Sequence, residues 1–321
     1  MKKSTIITII VVVLVVIAAF FVIKSFSNDT QQANNQPVPQ QPVDQTPPVQ
    51  VAKPETVIGS SVEGRDITAY HYGSGSDEVL FIGGIHGGYE WNTSLVGFQL
   101  MDYLAENPSI IPSNVKATVI PVLNPDGLFK VVGTAGRFTA ADVASSQEVV
   151  VSGRFNSNTV DLNRNFDCDW QSVGKWQNKN VSGGSATFSE PESQAIKAYV
   201  ETRNPKAVVV WYSAAGGVFA SSCHNGVLPE TKTLTNLFAK ASGYRAYENF
   251  NFYEITGDMV NWFAKMEIPA ISVLLTNHTD TEWSKNRAGV DAVLKHFASD
   301  TAQTAPATQT TPAAGSAGSQ N

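Results

Sequence analysis

The stretch Gly84-Ile85-His86-Gly87-Gly88-Tyr89-Glu90 sets an imidazole and a carboxylate four positions apart on a glycine-rich turn. Such a pair can share a metal ion through a ring nitrogen and a carboxylate oxygen. Two donors do not make a site, and a hydrogen-bonded loop histidine beside a glutamate at a helix start is the other reading of the same residues. Asn124-Pro125-Asp126-Gly127 reads alone as an ordinary turn. Asp161-Leu162-Asn163-Arg164-Asn165-Phe166 is more informative, because an amide beside a guanidinium is what bidentate capture of a carboxylate requires.

These residues need a frame. Val79 to Gly83, Ala117 to Leu123, Ala207 to Tyr212 and Ala270 to Leu275 are almost continuously apolar and rich in β-branched residues, as strands buried on both faces are. Helical patterns lie at Trp91 to Ala105, Glu190 to Thr202, Pro229 to Ser242, Asp258 to Met266 and Glu282 to Phe297. Ser189-Glu190-Pro191-Glu192 predicts a capping box with Ser189 at the cap. Strands alternating with helices predict an α/β domain over residues 56–298, a mixed and mostly parallel central sheet with helices on both faces. Ligands of such sheets sit beyond the carboxyl ends of the strands, where the His86 turn follows its strand.

Taken together the motifs resemble the zinc carboxypeptidase (carboxypeptidase A-like) family across most of this domain. The shared features are the His/Glu turn, Asn-Pro-Asp-Gly, Arg154 seven residues ahead of Asp161, Phe-Ser-Glu-Pro-Glu before a helix, Ser213-Ala214-Ala215-Gly216 after a strand, and Tyr253-Glu254-Ile255-Thr256-Gly257 followed by Trp262. The resemblance implies that His86 and Glu90 are zinc ligands, at a spacing one residue longer than the family's commonest. It implies that Arg154 polarises a scissile carbonyl, that Asn163 and Arg164 clamp a free C-terminal carboxylate, and that Tyr253 closes over bound peptide. Asp126 and Asp161 are expected to brace loops. Val260, seven residues beyond Tyr253, falls at the side-chain pocket and points to apolar or small terminal residues.

Two positions depart from the family. Its third zinc ligand is a histidine where this chain has Tyr212, and its general base is a glutamate where this chain has Leu274. A phenol is a poor replacement for imidazole, and leucine moves no proton. His224 and His278, in loops after the relevant strands, are the residues that could complete a metal site. Three functions remain open: a protein that recognises peptide C-termini without effective turnover, an active metallocarboxypeptidase trimming peptides or wall-derived peptides, and a structural or interaction module. Zinc is the implied cofactor, with its occupancy put in doubt by Tyr212.

The flanks bear on location. Thr5 to Ile23 is an uninterrupted apolar run, about 28 Å long as a helix, and residues 1–24 are expected to be a membrane anchor. Lys2 and Lys3 before the run favour a cytoplasmic N-terminus, which puts the remainder outside the cytoplasm. Residues 25–55 read as a Pro/Gln-rich disordered linker and 299–321 as a disordered Ala/Thr/Pro/Ser tail. The two cysteines, Cys168 and Cys223, are expected to pair in an oxidising compartment, the alternative being two buried thiols. A net charge of -6, with no cluster of Lys and Arg beyond the N-terminus, gives nucleic-acid binding no support.

Overall fold

The computed structural model describes residues 54–299. The stretches assigned to anchor, linker and tail lie outside that range except for Pro54, Glu55 and Ser299. No helix among the described residues is long and apolar enough to cross a membrane.

Ten strands are described: β1 (Glu55–Ser60), β2 (Asp66–Tyr72), β3 (Asp77–Ile82), β4 (Val115–Ile120), β5 (Val173–Trp176), β6 (Lys179–Ser182), β7 (Ala207–Ser213), β8 (Gly217–Ala220), β9 (Ala246–Tyr247) and β10 (Ala270–Leu275). Eight of them form one mixed sheet in the order β1-β2-β4-β3-β7-β10-β8-β9, and β5 and β6 make a separate hairpin. The central pairs β4-β3, β3-β7 and β7-β10 are parallel, whereas β1-β2, β2-β4 and β10-β8 are antiparallel. The four strands expected from their apolar runs are the four central ones. Their neighbours escape notice because they are short or half-exposed: β1 alternates with exposed residues and β9 has two residues.

Burial on both faces explains the composition of the central strands. Val79, Phe81, Val209, Trp211, Val273 and Leu275 pack into one core, against the helices Trp91–Glu106 (α1), Pro229–Ser242 (α5) and Trp283–Ser299 (α7). The alternate residues Leu80, Ile82, Val208, Val210, Tyr212 and Leu274 pack into the other, against Pro191–Arg203 (α4) and Met259–Lys265 (α6). This two-residue alternation is the strand period. Each fully buried Val, Ile or Phe contributes about 1.5–3 kcal/mol, so the central sheet is a rigid platform for the loops at its end.

Two further helices, Pro125–Val132 (α2) and Gln147–Ser152 (α3), complete the set. The turn expected at Asn124-Pro125-Asp126-Gly127 is the start of α2, with the Asn124 side chain accepting from the Gly127 amide. Asn is a favoured cap and Pro suits the first helical position. At α4 the cap is Glu190 and not Ser189, and no side-chain cap bond forms there. The Ser189 hydroxyl instead donates to the Glu190 carboxylate at 2.7 Å.

Candidate active site

Three loops converge beyond the carboxyl ends of β3, β7 and β10. The first leaves β3 and turns tightly through Gly87, whose φ is +45°. A Cβ there would lie 2.6 Å from the Gly153 carbonyl oxygen, so the turn requires glycine. His86 Nδ1 lies 3.0 Å from Glu90 Oε1, and Nε2 lies 3.4 Å from Asp161 Oδ1. Both ring nitrogens are buried, and neither contact has hydrogen-bond geometry. Glu90 Oε2 accepts from the Ser213 amide at 3.0 Å, which ties the turn to the end of β7.

The second loop carries Arg154 to Phe166. Arg154 is 2% exposed, donates from Nε to Asp161 Oδ2 at 2.9 Å, and pairs with the same oxygen through Nη2 at 2.8 Å. Its Nη1 lies 3.7 Å from Glu90 Oε1, and its guanidinium stacks 4.5 Å from the centre of the Trp176 ring. Burial pushes the Asp161 carboxyl up, but the adjacent Arg154 guanidinium, with His86 and Arg164, overcomes that and holds it well below the usual carboxylate range. Asp161 thus braces Arg154 and faces His86, the supporting position expected for it. Asp126 braces a separate loop, through Arg65 at 2.6 Å and the Ser61 hydroxyl.

Asn163 and Arg164 part company. The Asn163 side-chain oxygen accepts from the Met259 amide at 3.0 Å and the Tyr212 hydroxyl at 3.3 Å. Its Nδ2 makes no hydrogen bond among the described residues, and Asn163 borders the cavity. Arg164 is 1% exposed and does not line it. Its Nε and Nη2 donate to the Lys175 carbonyl at 2.9 and 2.7 Å, and Nη1 donates to the Asn163 carbonyl at 2.5 Å. In this conformation Arg164 fastens the β5-β6 hairpin to the loop.

The third segment runs from Asn249 to Val260. The Phe166 amide bonds to the Gly257 carbonyl at 2.9 Å and the Gly257 amide to the Cys168 carbonyl at 2.7 Å. Gly257 has φ +64°, and a Cβ there would meet the Arg164 carbonyl oxygen at 2.5 Å. Tyr253, half-buried, lines the cavity beside Phe250, and its ring lies 6.0 Å from the Arg164 guanidinium. A disulfide joins Cys168 to Cys223 with their Cα atoms 6.2 Å apart, so the loop after β8 is tied to the same region.

The cavity that these loops enclose is about 900 Å³. His86, Glu90, Arg154, Asn163, Tyr253 and Val260 all line it, and so do Tyr212 and Leu274. The last two are paired in register on adjacent parallel strands. Burial, and then the carboxylates of Asp258 and Glu90, hold the Tyr212 phenol well above its ordinary value of 10.0. A protonated phenol donating to Asn163 is no metal ligand. Among the described residues the one group of three side chains with converging donor atoms is Cys168, Asp169 and Cys223, whose sulfurs are spent in the disulfide. His86 and Glu90 are therefore two donors of a set that a catalytic zinc needs as three. The residues present do not fit that ion.

Neither histidine considered as a substitute completes the set. His224 is exposed and pairs with Asp169 at 3.0 Å. His278 lines the cavity, but its Nδ1 is 2.8 Å from the Ser213 hydroxyl and its Nε2 is 3.4 Å from the Tyr89 hydroxyl. Two cavity residues had no sequence signal as site residues. Trp176, on a short hairpin strand, covers Arg154, and Asp258 reads in sequence as a helix cap.

Comparisons with known proteins agree with this geometry. Gamma-D-glutamyl-L-diamino acid endopeptidase 1 of Lysinibacillus sphaericus is 27% identical over 223 residues, covering 62% of this chain and 54% of that protein. Carboxypeptidase Z of Rattus norvegicus is 29% identical over 192 residues, covering 56% and 28%. The chain thus spans about half of the first relative and under a third of the second. In fold it is similar to bovine thrombin-activatable fibrinolysis inhibitor, with a TM-score of 0.60 at 15% identity over 77% of this chain and 90% of that one. Murein-tripeptide amidase MpaA from Escherichia coli O157 gives 0.51 at 20% identity over 75% and 91%. The zinc carboxypeptidase family matches residues 50–283, and with the His86 turn, the Arg154 loop and Tyr253 gathered round one cavity, the chain belongs to that family.

Proposed function

We propose that this chain is a zinc carboxypeptidase-like protein that recognises the C-termini of peptides and turns them over poorly or not at all. The observation that supports this most is an asymmetry within one cavity. The two altered positions, Tyr212 and Leu274, remove a metal donor and a proton acceptor, whereas Arg154, Asn163 and Tyr253 still face the space a peptide end would occupy. Arg154 keeps Nη1 directed at the Glu90 side of the cavity, and Asn163 keeps a free amide donor. Both can bond to carboxylate or carbonyl oxygen, and charge-assisted bonds of this kind are about twice as strong as neutral ones. Arg164 supports Asn163 from behind.

The ligand class is a peptide with a free carboxylate, and the name of the Lysinibacillus sphaericus relative makes peptides with a gamma-D-glutamyl-L-diamino acid unit the first candidates. Two measurements test the reading. Elemental analysis of protein purified without chelator should give well under one zinc per chain. A peptide with a free C-terminus should bind more tightly than its C-terminal amide. Chelator-sensitive release of C-terminal residues by the unmodified chain would sink the proposal and promote the active-enzyme reading, with His278 as the first residue to examine because it already lines the cavity.

We further propose that residues 1–24 anchor the protein in the cell membrane by a single span, with the folded region outside the cytoplasm on the 25–55 linker. The apolar run supports this, and so does a disulfide, which persists in oxidising compartments.

A further inference from the structure

Each half of the disulfide is followed in sequence by a group that binds metals. Asp169 comes directly after Cys168 and His224 directly after Cys223, so the bridge carries a carboxylate on one loop and an imidazole on the other. Asp169 Oδ2 lies 3.9 Å from Cys168 Sγ, and Asp169 Oδ1 pairs with His224 Nε2 at 3.0 Å. The donor atoms of Cys168, Asp169 and Cys223 all lie within 4.8 Å of one another. Two ligands of one zinc ion are at most about 4.6 Å apart, twice the Zn–S distance. The cluster is already close to the size of a coordination sphere.

The backbone singles out the same two flanking residues. Asp169 has φ +54° and His224 has φ +53°, the left-handed region that residues other than glycine adopt uncommonly. The ion pair they make is little compensation, because both side chains are exposed and solvent screens them. A disulfide by itself requires neither group. We propose that, once the disulfide is reduced, Cys168, Cys223, His224 and Asp169 bind a zinc ion, so that the link between the two loops is covalent in the oxidised chain and metallic in the reduced one. A dithiol reductant supplies the two electrons: it is oxidised to its own disulfide while the Cys168–Cys223 bond breaks and each sulfur takes up a proton. Zinc then displaces both thiol protons to solvent and takes the two thiolates, with Nε2 of His224 and one Asp169 oxygen as third and fourth ligands. With the cysteine Cα atoms 6.2 Å apart, the sulfurs can part to the roughly 3.8 Å that separates two thiolates on a tetrahedral zinc. Four protein ligands close such a site, so its zinc holds structure and activates no water. The loops it joins reach the cavity, since Ser222 lines it and the Gly257 amide bonds to the Cys168 carbonyl at 2.7 Å. A metal in place of the bond keeps that wall tied under reducing conditions.

The test takes the full chain in mild detergent, oxidised and after reduction by dithiothreitol that is removed by desalting under nitrogen. Both forms are incubated with zinc chloride, desalted again and analysed for zinc. The reduced form should keep about one zinc per chain and the oxidised form far less. Zinc should also raise the melting temperature of the reduced form and leave the oxidised form unchanged, since a ligand stabilises only a state that binds it. His224→Ala and Asp169→Asn, both at exposed positions, should each weaken zinc binding by the reduced chain about tenfold or more in competition with a chelating dye, because losing even a group that only orients a ligand costs that much. Alkylation of the reduced thiols with iodoacetamide before zinc is added should abolish retention. Equal zinc in the oxidised and reduced forms, retention after alkylation, a melting temperature that zinc does not raise, or full affinity in the His224→Ala variant each overturns the proposal. The site shares no residue with the His86 and Glu90 pair, so none of these outcomes depends on how that pair behaves.

Discussion

Restoring the family's histidine and glutamate, by Tyr212→His and Leu274→Glu together, should convert this protein into a zinc-binding enzyme, and each change alone should not. The two side chains sit on paired residues of β7 and β10, on one face of the sheet and in one cavity. A third donor beside His86 and Glu90 meets the usual requirement of a catalytic zinc. A general base contributes roughly a hundred- to ten-thousandfold to rate, about 3 to 5 kcal/mol of barrier. Without metal, however, Leu274→Glu places a carboxylate at a position only 8% exposed. An uncompensated buried charge costs several kcal/mol, so the single variant should unfold at a lower temperature than the parent, with no activity. In the double variant zinc supplies the compensating charge, and a hundredfold excess over its dissociation constant stabilises by about 2.7 kcal/mol.

The assay is thermal unfolding of the parent, both singles and the double, with and without zinc, followed by hydrolysis of a peptide with a free C-terminus. The expected pattern is a zinc-dependent rise in melting temperature and measurable turnover in the double variant alone, an interaction larger than the sum of the singles. If the double variant binds no more zinc than the parent, the assignment of Tyr212 to the third ligand position is wrong. If Leu274→Glu alone gains activity, the parent already holds a competent metal and the argument from Tyr212 fails.

Arg154→Ala should cost about 3–5 kcal/mol in urea unfolding, because it strips the Nε hydrogen bond and the Nη2 ion-pair contact from Oδ2 of the fully buried Asp161 and removes the cation beside that charge. Asp161 has a depressed folded-state pKa, so its contribution is complete above the ordinary carboxylate pKa of about 4 and is lost as pH falls below it. Acid titration of stability should therefore show a loss below about pH 4 that Arg154→Gln weakens, and an unchanged acid limb in that variant would contradict the pairing. Cys168→Ser should destabilise by about 2–4 kcal/mol, as expected for opening a loop with a sequence separation of 55, with a stability loss under 1 kcal/mol counting against a structural role for the disulfide. Protease added to intact cells should remove the folded region, whereas protection until lysis would refute the extracytoplasmic placement.

How much of this was legible in the chain depended on the kind of signal. Ala207 to Tyr212 and Ala270 to Leu275 announce central strands because both faces are buried and no alternation is needed. β2 and β8 give no such run, being set by their pairing with β4 and β10 rather than by their own pattern. In the site, the motif positions were readable since His86, Arg154 and Tyr253 carry rare side chains at fixed spacings. Which of them face the cavity was not. Arg164 looks in sequence like a ligand clamp, and only the tertiary placement of the Lys175 carbonyl turns its guanidinium inward. Asp258 has the opposite history. Its local pattern is that of an N-cap, true of its bonds to Asn261, and the cavity beside it is made by residues far away in sequence.

The two departures also make sense as a single electrostatic adjustment. The cavity is lined by Glu90, Glu254 and Asp258, with Asp161 behind, and by one fully buried cation, Arg154, bonded to Asp161 and 3.7 Å from Glu90. A further cavity carboxylate at position 274 would find no buried cation left to share, since Arg164 is committed to main-chain oxygens. With a dication present that carboxylate is compensated, and without one it is a buried charge of the kind proteins avoid. Tyr212 lowers the claim of the site on a dication, and Leu274 removes the negative charge that would have needed it.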